Sequence, residues 1–251
     1  GHEIRVTSNH KMLVNEDGKE IWKEAGDLSL GDQLVIGQNQ SRTIDTQNIN
    51  FKRGWLIGGV VGDGGHNPTK YPSYIRFWGQ TALENARKAA EYISEVYNAK
   101  VTPHEYQGIY TVASAQLTKD CVRFLSQKDK NFTDNVVLMD DDFLAGLIQG
   151  YFDADGTVFG DSKRQGIAVR LCSNNLTRLK TMQTILNRFG IVSSIYSIHP
   201  AKDALLPDGR GGKSHYPVKK TYDLHFSRES IDAFLQLGGF GDSRKQATLN
   251  E

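Results

Sequence analysis

The pattern of apolar and polar positions divides the chain into a strand-rich beginning and a longer part built around helices. Residues 3–7 alternate polar and apolar side chains, which predicts a half-buried strand. Turn residues at 15–18 and 29–32 flank further strand-like runs, the last of which is 33–36. Residues 37–50 are polar and weakly patterned, as in a linker, and the pattern becomes helical from Phe51 onward. We therefore predict a β-rich segment with its linker over residues 1–43.

Two apolar stretches with small residues at every fourth position occur 92 residues apart, GWLIGGVVGDG at 54–64 and AGLIQGYFDADG at 145–156. Each is followed by a strand (74–78 and 167–172), a helix (81–97 and 176–189), further strand material and a short final helix (117–126 and 229–237). Both halves thus follow the order αββαββα. A duplicated unit is the simplest account. We predict an α+β fold with two pseudo-symmetric subdomains, residues 44–138 and 139–251.

The glycines in these helices require a structural reason, because each costs about 1 kcal/mol relative to alanine. A spacing of four places them on one face, where two helix backbones can approach closely. Parallel packing of the two helices would bring Asp63 and Asp155 together at two helix C-termini, whose dipoles are also negative. A divalent cation such as Mg²⁺ would relieve the repulsion, and such sites hydrolyse phosphodiesters. Asp153 corresponds to Val61 in the first copy, so the shared chemistry does not need it. The alternative is a helix-packing device with a capped end.

The stretch from Leu144 to Gly156 resembles the signature of the LAGLIDADG homing endonucleases, and the stretch from Leu56 to Gly64 resembles a degenerate first copy. The resemblance covers Phe51 to the C-terminus. It implies a DNA-binding saddle of two sheets and a monomeric enzyme that uses Mg²⁺ or Mn²⁺. This enzyme would cut both strands of double-stranded DNA at a long asymmetric site. The metal-site residues that it implies are Asp63, Asp155, Gly62 and Ala154.

The same resemblance implies supporting residues near the metal-bound water. Gln80 and Asn174 occupy matching positions near the start of the helix that follows each motif, and helix capping or a turn is their alternative role. Lys219 or Lys220, ahead of the late strand of the second half, would polarise water or offset phosphate charge; simple phosphate contact is the alternative. The late strand of the first half has no lysine, so we expect the two DNA strands to be cut at unequal rates.

The charge distribution favours a nucleic-acid face, although the totals of 30 Lys and Arg against 29 Asp and Glu first argue against a basic DNA binder. Residues 163–228 contain 12 basic and 3 acidic residues, a net +9, while acids gather around the second motif helix. Basic side chains on strands and loops can read bases and track phosphates. The DNA-binding candidates are Lys70, Arg76, Trp78, Lys163, Arg164, Arg170, Arg210, Lys213, Lys219, Lys220 and Arg228.

The first residues resemble a second family. Residues 1–13, with Thr7 and His10, are similar to an intein block with a Thr-x-x-His pair, and residues 28–34 resemble the following strand of the splicing fold. In inteins such a pair polarises the scissile peptide at the N-terminal splice junction. No Cys or Ser nucleophile precedes Gly1 and the chain ends in Leu-Asn-Glu, so we do not expect this chain to splice alone. An ordinary strand threonine and a surface histidine are the alternative.

Three alternatives therefore stand beside the nuclease: an inactive LAGLIDADG DNA-binding regulator, an RNA-splicing maturase, and part of a protein-splicing intein. The chain has no apolar run as long as a membrane span and no signal-peptide core. The two cysteines, Cys121 and Cys172, form no metal-type spacing, and we expect two buried, reduced thiols. We thus expect an intracellular, non-secreted protein without a membrane partner.

Overall fold

The computed structural model describes residues 2–35, 43–161, 166–200, 202–207 and 212–250. The chain divides into two compact units, residues 1–41 and 42–251. None of the described helices combines the length and the apolar character that crossing a bilayer requires.

The first unit is a three-stranded antiparallel sheet in the order β2-β1-β3. Its strands are β1 (Lys11–Glu16), β2 (Lys19–Glu24) and β3 (Gln33–Leu34), and a short 3₁₀ helix covers Ala25–Asp27. Asp17 and Gly18 join β1 to β2 with φ angles of 53° and 80°, the left-handed pair that a tight hairpin favours. The strand predicted over residues 3–7 is wrong: these residues pair with no described strand, and Ile4 is 64% exposed. Alternation alone does not supply a hydrogen-bonding partner.

The second unit contains the duplicated αββαββα series that the sequence predicts. In the first repeat the elements are α1 (Ile49–Asp63), β4 (Gly64–Asn67), β5 (Tyr71–Phe77), α2 (Ala82–Tyr97), β6 (His104–Tyr106), β7 (Ile109–Ser114) and α3 (Ala115–Phe124). The sheet order is β4-β5-β7-β6, with antiparallel neighbours. The helices lie against one face, because buried Ile75 and Val112 project from neighbouring strands into the core.

The second repeat follows the short helix α4 (Asp134–Val137) and has the same topology. Its elements are α5 (Asp141–Asp155), β8 (Gly156–Asp161), β9 (Gly166–Ser173), α6 (Leu176–Arg188), β10 (Ser194–His199), β11 (Lys202–Pro207), β12 (Lys213–Val218), β13 (Thr221–Ser227), α7 (Glu229–Gln236) and α8 (Ser243–Asn250). The sheet order β8-β9-β13-β10 matches that of the first repeat. Strands β11 and β12 form a separate ribbon inserted between β10 and β13, which the sequence pattern did not resolve. The predicted α+β fold with two αββαββα subdomains is confirmed.

The motif helices α1 and α5 lie side by side and parallel, and their glycines let the backbones touch. A methyl group added at Gly54 would lie 2.0 Å from the carbonyl oxygen of Phe143, and one at Gly150 would lie 2.1 Å from that of Trp55. Farther along, a methyl at Gly62 would lie 2.3 Å from the Cβ of Ala154. No larger side chain fits in this seam. The predicted reason for the glycine spacing is therefore confirmed, and the seam brings the ends of both helices together.

Candidate active site

The carboxylates of Asp63 and Asp155 end the two motif helices at the same end of the seam. The chain passes directly from each helix into a strand, through Gly64 and Gly156. These glycines have φ angles of −108° and −75°, so they are not left-handed caps. They are needed for close approach: an added methyl would lie 2.2 Å from the carbonyl oxygen of Tyr74 at Gly64. The sharp helix-to-strand turn fixes where each carboxylate points.

The two carboxylates form an electrostatically strained pair. A methyl added at Gly62, next to Asp63, would lie 3.5 Å from Oδ2 of Asp155. Burial, followed by the charge of Asp155, raises the pKa of Asp63 to about 6. Burial also raises the pKa of Asp155, against the opposing effect of nearby positive charges. The ionised pair is thus unfavourable without a compensating cation.

Two lysines that the sequence analysis missed neutralise the ends of the motif helices. Lys130 donates to the carbonyl oxygens of Val60 and Gly64 at 3.0 and 2.8 Å. Lys245 donates to those of Phe152, Asp153 and Ala154 at 3.2, 2.5 and 3.1 Å. Each lysine comes after the last helix of an αββαββα series and caps the motif helix of its own repeat.

Both lysines lie in the field of the aspartate pair. Burial, reinforced by Arg178, lowers the pKa of Lys130 to about 8, although Asp155 and Asp63 oppose the shift. Burial also lowers the pKa of Lys245, and Asp153, Asp242 and then the aspartate pair oppose this shift. Their backbone acceptors are dozens of residues away in the sequence, and only the fold brings the groups together.

The donor set around Asp63 and Asp155 fits a hard divalent cation. Within the described part of the chain, neither carboxylate accepts a hydrogen bond or forms an ion pair, because the nearby lysines donate to main-chain carbonyls instead. Among the described residues, no group of three or more His, Cys, Asp or Glu side chains is placed so that it could hold a metal ion. A cation bound here would therefore take the two carboxylates, main-chain carbonyls such as that of Gly62, water and substrate oxygens. The carbonyl of Ala154, which the resemblance also implies as a ligand, instead accepts from Lys245 at 3.1 Å. Such oxygen-only sets with several waters suit Mg²⁺.

Asp153 has a structural position, in agreement with its lack of a counterpart in the first repeat. Its carboxylate accepts hydrogen bonds from the indole of Trp55 at 2.8 Å and from the amides of Gly241 and Asp242 at 2.7 and 3.0 Å. Burial raises the pKa of Asp153, although Lys88 and these donors oppose the shift. It joins α1 and α5 to the loop before α8.

Gln80 and Asn174 are exposed and lie just before helices α2 and α6. The helix N-caps are the following residues, Thr81 and Asn175, and the side chain of Asn175 accepts from the amide of Arg178 at 3.1 Å. The alternative role of Gln80 and Asn174 as N-caps is therefore wrong, but Gln80 lies in a turn and Asn174 in a bend, as the other part of that alternative expected. Their role near metal-bound water stays a prediction.

Lys219 and Lys220 are exposed in the connection between β12 and β13. The ammonium of Lys220 lies 5.2 Å from the ring centre of Tyr222. The positive charges that act on the aspartate pair come from Lys130, Lys245 and Arg178. The structure therefore does not bring Lys219 and Lys220 into this group.

Two of the predicted DNA-binding residues, Arg76 and Arg170, lie on sheet strands and point away from the helices. Arg76 stacks on Tyr74 of the same strand at 4.9 Å, and Arg170 lies 5.5 Å from the ring centre of Phe159 and 3.4 Å from Oδ2 of Asp223. The other candidates in the described part are exposed: Lys70, Trp78, Lys213 and Arg228. Lys163, Arg164 and Arg210 lie outside the described residues.

Thr7 and His10 belong to the first unit, where both are exposed. The amide of His10 donates to the carbonyl of Thr7 at 3.0 Å, and the hydroxyl of Thr7 donates to Oδ1 of Asn9 at 2.7 Å. They form a turn before β1 rather than part of a strand.

Comparisons with known families and solved structures identify proteins that this chain resembles. The model of the LAGLIDADG-like domain matches residues 142–239, which includes the second motif helix and its sheet. The LAGLIDADG fold also extends over the first repeat, as solved structures show. A crystal structure of the homing endonuclease I-DmoI with DNA and Ca has a TM-score of 0.52 and 15% identity, and covers 81% of this chain and 100% of that chain. The homing endonuclease I-WcaI bound to its DNA recognition sequence has a TM-score of 0.52 and 12% identity, covering 80% and 86%.

The curated proteins to which this chain is similar have diverse names. They include the ribonucleoside-diphosphate reductase NrdEB subunit alpha of Bacillus subtilis, 22% identical over 94% of this chain and 23% of that protein. The ATP-dependent DNA helicase Hel308 of Methanocaldococcus jannaschii is 30% identical over 78% of this chain and 16% of that protein. The replication factor C small subunit of the same organism is 24% identical over 100% and 13%. The chain thus spans less than a quarter of the length of each of these relatives.

Proposed function

We propose that this protein is a site-specific double-strand DNA endonuclease that requires a divalent metal ion, Mg²⁺ or Mn²⁺. The observation that carries the proposal is the meeting of Asp63 and Asp155 at the end of the glycine seam, with carboxylates free of protein partners in the described part of the chain. A fold that only bound DNA would not need two half-buried, mutually repelling acids, one from each repeat.

Each group in the site has a task in phosphodiester hydrolysis. Asp63 and Asp155 would hold the metal, which when bound supplies Lewis-acid stabilisation and activation of water. Lys130 and Lys245 neutralise the negative helix ends, so that a DNA phosphate is not repelled by the carbonyls that they cap. Their ammonium groups also offset charge that develops on phosphate oxygens. Gln80 and Asn174 would orient water from the helix starts.

The two sheets provide the DNA-binding face of the proposal. Antiparallel strands with exposed Arg and aromatic side chains can enter a major groove and read base edges. Arg76 in the first repeat and Arg170 in the second occupy comparable strands, β5 and β9. The structural relatives with a TM-score of 0.52 are named as DNA complexes, which supports double-stranded DNA as the partner.

The two repeats differ, and this supports an asymmetric target. The ribbon of β11 and β12 occurs only in the second of the two repeats as described, and the lysines that cap α1 and α5 come from unlike elements, a loop and a helix. A monomer with unequal halves would read unequal half-sites. We expect unequal rates of cutting for the two strands.

We further propose that the endonuclease belongs to an element inserted in host proteins, an intein. A reductase, a helicase and a replication factor have different activities, yet each matches most of this chain over less than a quarter of its own length. A shared inserted segment explains such a pattern. The test is expression of the full-length precursor: a ligated host protein without this segment would support the proposal, and an intact precursor as the sole stable product would contradict it.

The nuclease proposal is tested by incubating the protein with a randomised duplex library in Mg²⁺ and sequencing the cut ends. We expect a single long motif, cut on both strands. Asp63→Asn and Asp155→Asn are expected to bind the selected duplex but to cut it at least 100-fold more slowly, about 2.7 kcal/mol or more of transition-state stabilisation. A wild-type protein that binds a duplex but leaves it uncut in both Mg²⁺ and Mn²⁺ would favour the DNA-binding regulator instead.

A further inference from the structure

Two segments carry the lysines that cap the motif helices. The Lys130 loop comprises residues 126–131, and the Lys245 segment comprises residues 238–245. The Lys130 loop is a tight turn in which the amide of Ser126 donates to the carbonyl of Asn131 at 2.8 Å. Lys130 itself has a φ of 50°, in the left-handed region that a non-glycine residue rarely adopts. Such a conformation persists only where surrounding contacts fix it.

Besides its internal hydrogen bonds, the Lys130 loop is held by two contacts from the other repeat. The side-chain amide of Asn175 donates to Oδ1 of Asn131 at 2.6 Å. The guanidinium of Arg178, which is 9% exposed, donates to the carbonyl oxygen of Asp129. Asn175 and Arg178 lie at the start of α6 in the second repeat. These contacts flank Lys130 on both sides in the sequence.

The Lys245 segment has corresponding contacts with the first repeat, in addition to the hydrogen bonds that the amides of Gly241 and Asp242 donate to Asp153 of its own repeat. Oδ2 of Asp242 accepts hydrogen bonds from the hydroxyl of Thr81 at 2.6 Å and from the side-chain amide of Asn85 at 2.9 Å. The other carboxylate oxygen of Asp242 accepts from the amide of Lys245 at 3.0 Å. Thr81 and Asn85 lie at the start of α2. A single buried carboxylate thus joins the start of α2 to the first turn of α8, which contains Lys245.

Helices α2 and α6 are equivalent elements of the two repeats, so the two arrangements are reciprocal. We propose that Thr81 and Asn85 of the first repeat are positioning residues for Lys245, and that Asn175 and Arg178 of the second repeat are positioning residues for Lys130. Each repeat therefore holds the lysine of the opposite repeat in place. The kinetic consequence of this cross-fastening rests on the proposed nuclease function, and the fastening itself does not.

The expected effect is specific to one DNA strand. Lys130 and Lys245 cap different motif helices, so loss of one lysine is expected to impair the cutting of the two strands unequally. Removal of the side chains that position a lysine should slow the cutting of the same DNA strand as removal of the lysine itself. Because misplacement of a site group by about 1 Å can cost on the order of 100-fold in rate, we expect a 10- to 100-fold loss, about one to two decades, on that strand.

The first experiment measures nicking of each strand of a doubly labelled cognate duplex. Lys130→Met and Lys245→Met define which strand depends on which lysine. The double variant Thr81→Ala/Asn85→Ala is expected to slow the strand that Lys245→Met slows, and Asn175→Ala the strand that Lys130→Met slows. The matched controls are Glu84→Ala on α2 and Thr177→Ala on α6, both of exposed side chains at the same helix starts. The proposal is overturned if each variant slows the strand of its own repeat's lysine, or both strands equally.

The second experiment needs no DNA and separates failure of this inference from failure of the nuclease proposal. Hydrogen exchange is measured at the amides of residues 241–246 and 126–131 in the full chain. Thr81→Ala/Asn85→Ala is expected to accelerate exchange at least tenfold in the first segment alone, and Asn175→Ala in the second alone. Thr81→Ser, which keeps the hydroxyl, should restore protection. Unchanged exchange in both segments would overturn the cross-fastening whether or not the protein cuts DNA.

Discussion

The glycine seam predicts opposite effects for one substitution at two adjacent positions of α1. Gly58 faces α5, where an added methyl would lie 2.4 Å from the carbonyl oxygen of Leu147 and 2.6 Å from the amide nitrogen of Tyr151. Gly59 faces the sheet, where the nearest atom would be Cδ1 of Ile75 at 3.0 Å. At Gly58 the added methyl would meet backbone atoms of α5, which cannot move aside without moving the whole helix. At Gly59 it would meet the end of a side chain that can rotate away.

The magnitudes follow from these distances. Gly→Ala inside a helix gains about 1 kcal/mol in propensity at either position. At Gly58 the helices must separate by almost 1 Å to restore ordinary contact, and overpacking of this kind costs about 3 kcal/mol. We therefore expect Gly58→Ala to lower the free energy of unfolding by about 2 kcal/mol and Gly59→Ala to raise it by up to about 1 kcal/mol.

The measurement is urea denaturation of both variants and the wild type. The slope of the unfolding free energy against urea concentration, the m value, must be the same in all three proteins. Because the two variants carry the same chemical change one residue apart, propensity and denatured-state effects cancel in their difference. Equal stability of the two variants would refute the close backbone contact, and with it the placement of Asp63 beside Asp155.

Three further predictions concern buried groups. Asp63→Asn should stabilise the metal-free protein by about 1–3 kcal/mol at pH 7, because the folded pKa of about 6 lies above the unfolded value of 3.8 and ionisation opposes folding. The gain should vanish below pH 4, and Mg²⁺ should raise the Tm of the wild type more than that of the variant; a gain that persists at pH 3.5 in urea titrations contradicts the argument. One thiol, Cys172, should react with a disulfide reagent in the native protein, since Cys121 is buried and burial raises its pKa to about 12; two rapidly reacting thiols would contradict the packing of α3. Trp55→Phe should cost about 1–3 kcal/mol in urea denaturation by removing a donor to buried Asp153, against less than about 0.5 for exposed Trp78→Phe, and equal effects would exclude a role for that hydrogen bond.

The sequence was sufficient to predict the duplicated topology, because it follows from local patterns. The small-residue spacing at Gly54, Gly58 and Gly62 has one physical explanation, close helix contact, and the repeat at Gly146 and Gly150 identified the partner. The aspartates followed because they end the same two helices. Parallel packing then required no further information.

The lysines could not be found in this way. Lys130 lies in a turn without regular structure, and its acceptor carbonyls are 70 and 66 residues earlier. Main-chain carbonyls have no sequence signature, so no spacing marks the residue that will cap them. The choice of Lys219 and Lys220 relied on strand position, and the inserted β11–β12 ribbon lies between β10 and the strand that follows these lysines. For the strand predicted over residues 3–7, alternation was present and a partner strand was not.

In the proposed metal site the lysines bind main-chain carbonyls and the aspartates do not pair with them, so the carboxylate oxygens can bind a cation. A lysine paired directly with Asp63 or Asp155 would stabilise the fold but occupy the carboxylate oxygens that a metal needs. Lys130 and Lys245 instead donate to the carbonyls at the helix ends. Their charges lie close enough to make the potential at the carboxylates less negative, but they do not occupy the carboxylate oxygens. The carboxylates stay unpaired within the described part of the chain, at the cost of a raised pKa at Asp63. Since the cross-fastening of the Lys130 loop and the Lys245 segment holds both lysines, the same contacts that join the two repeats also keep the carboxylates available.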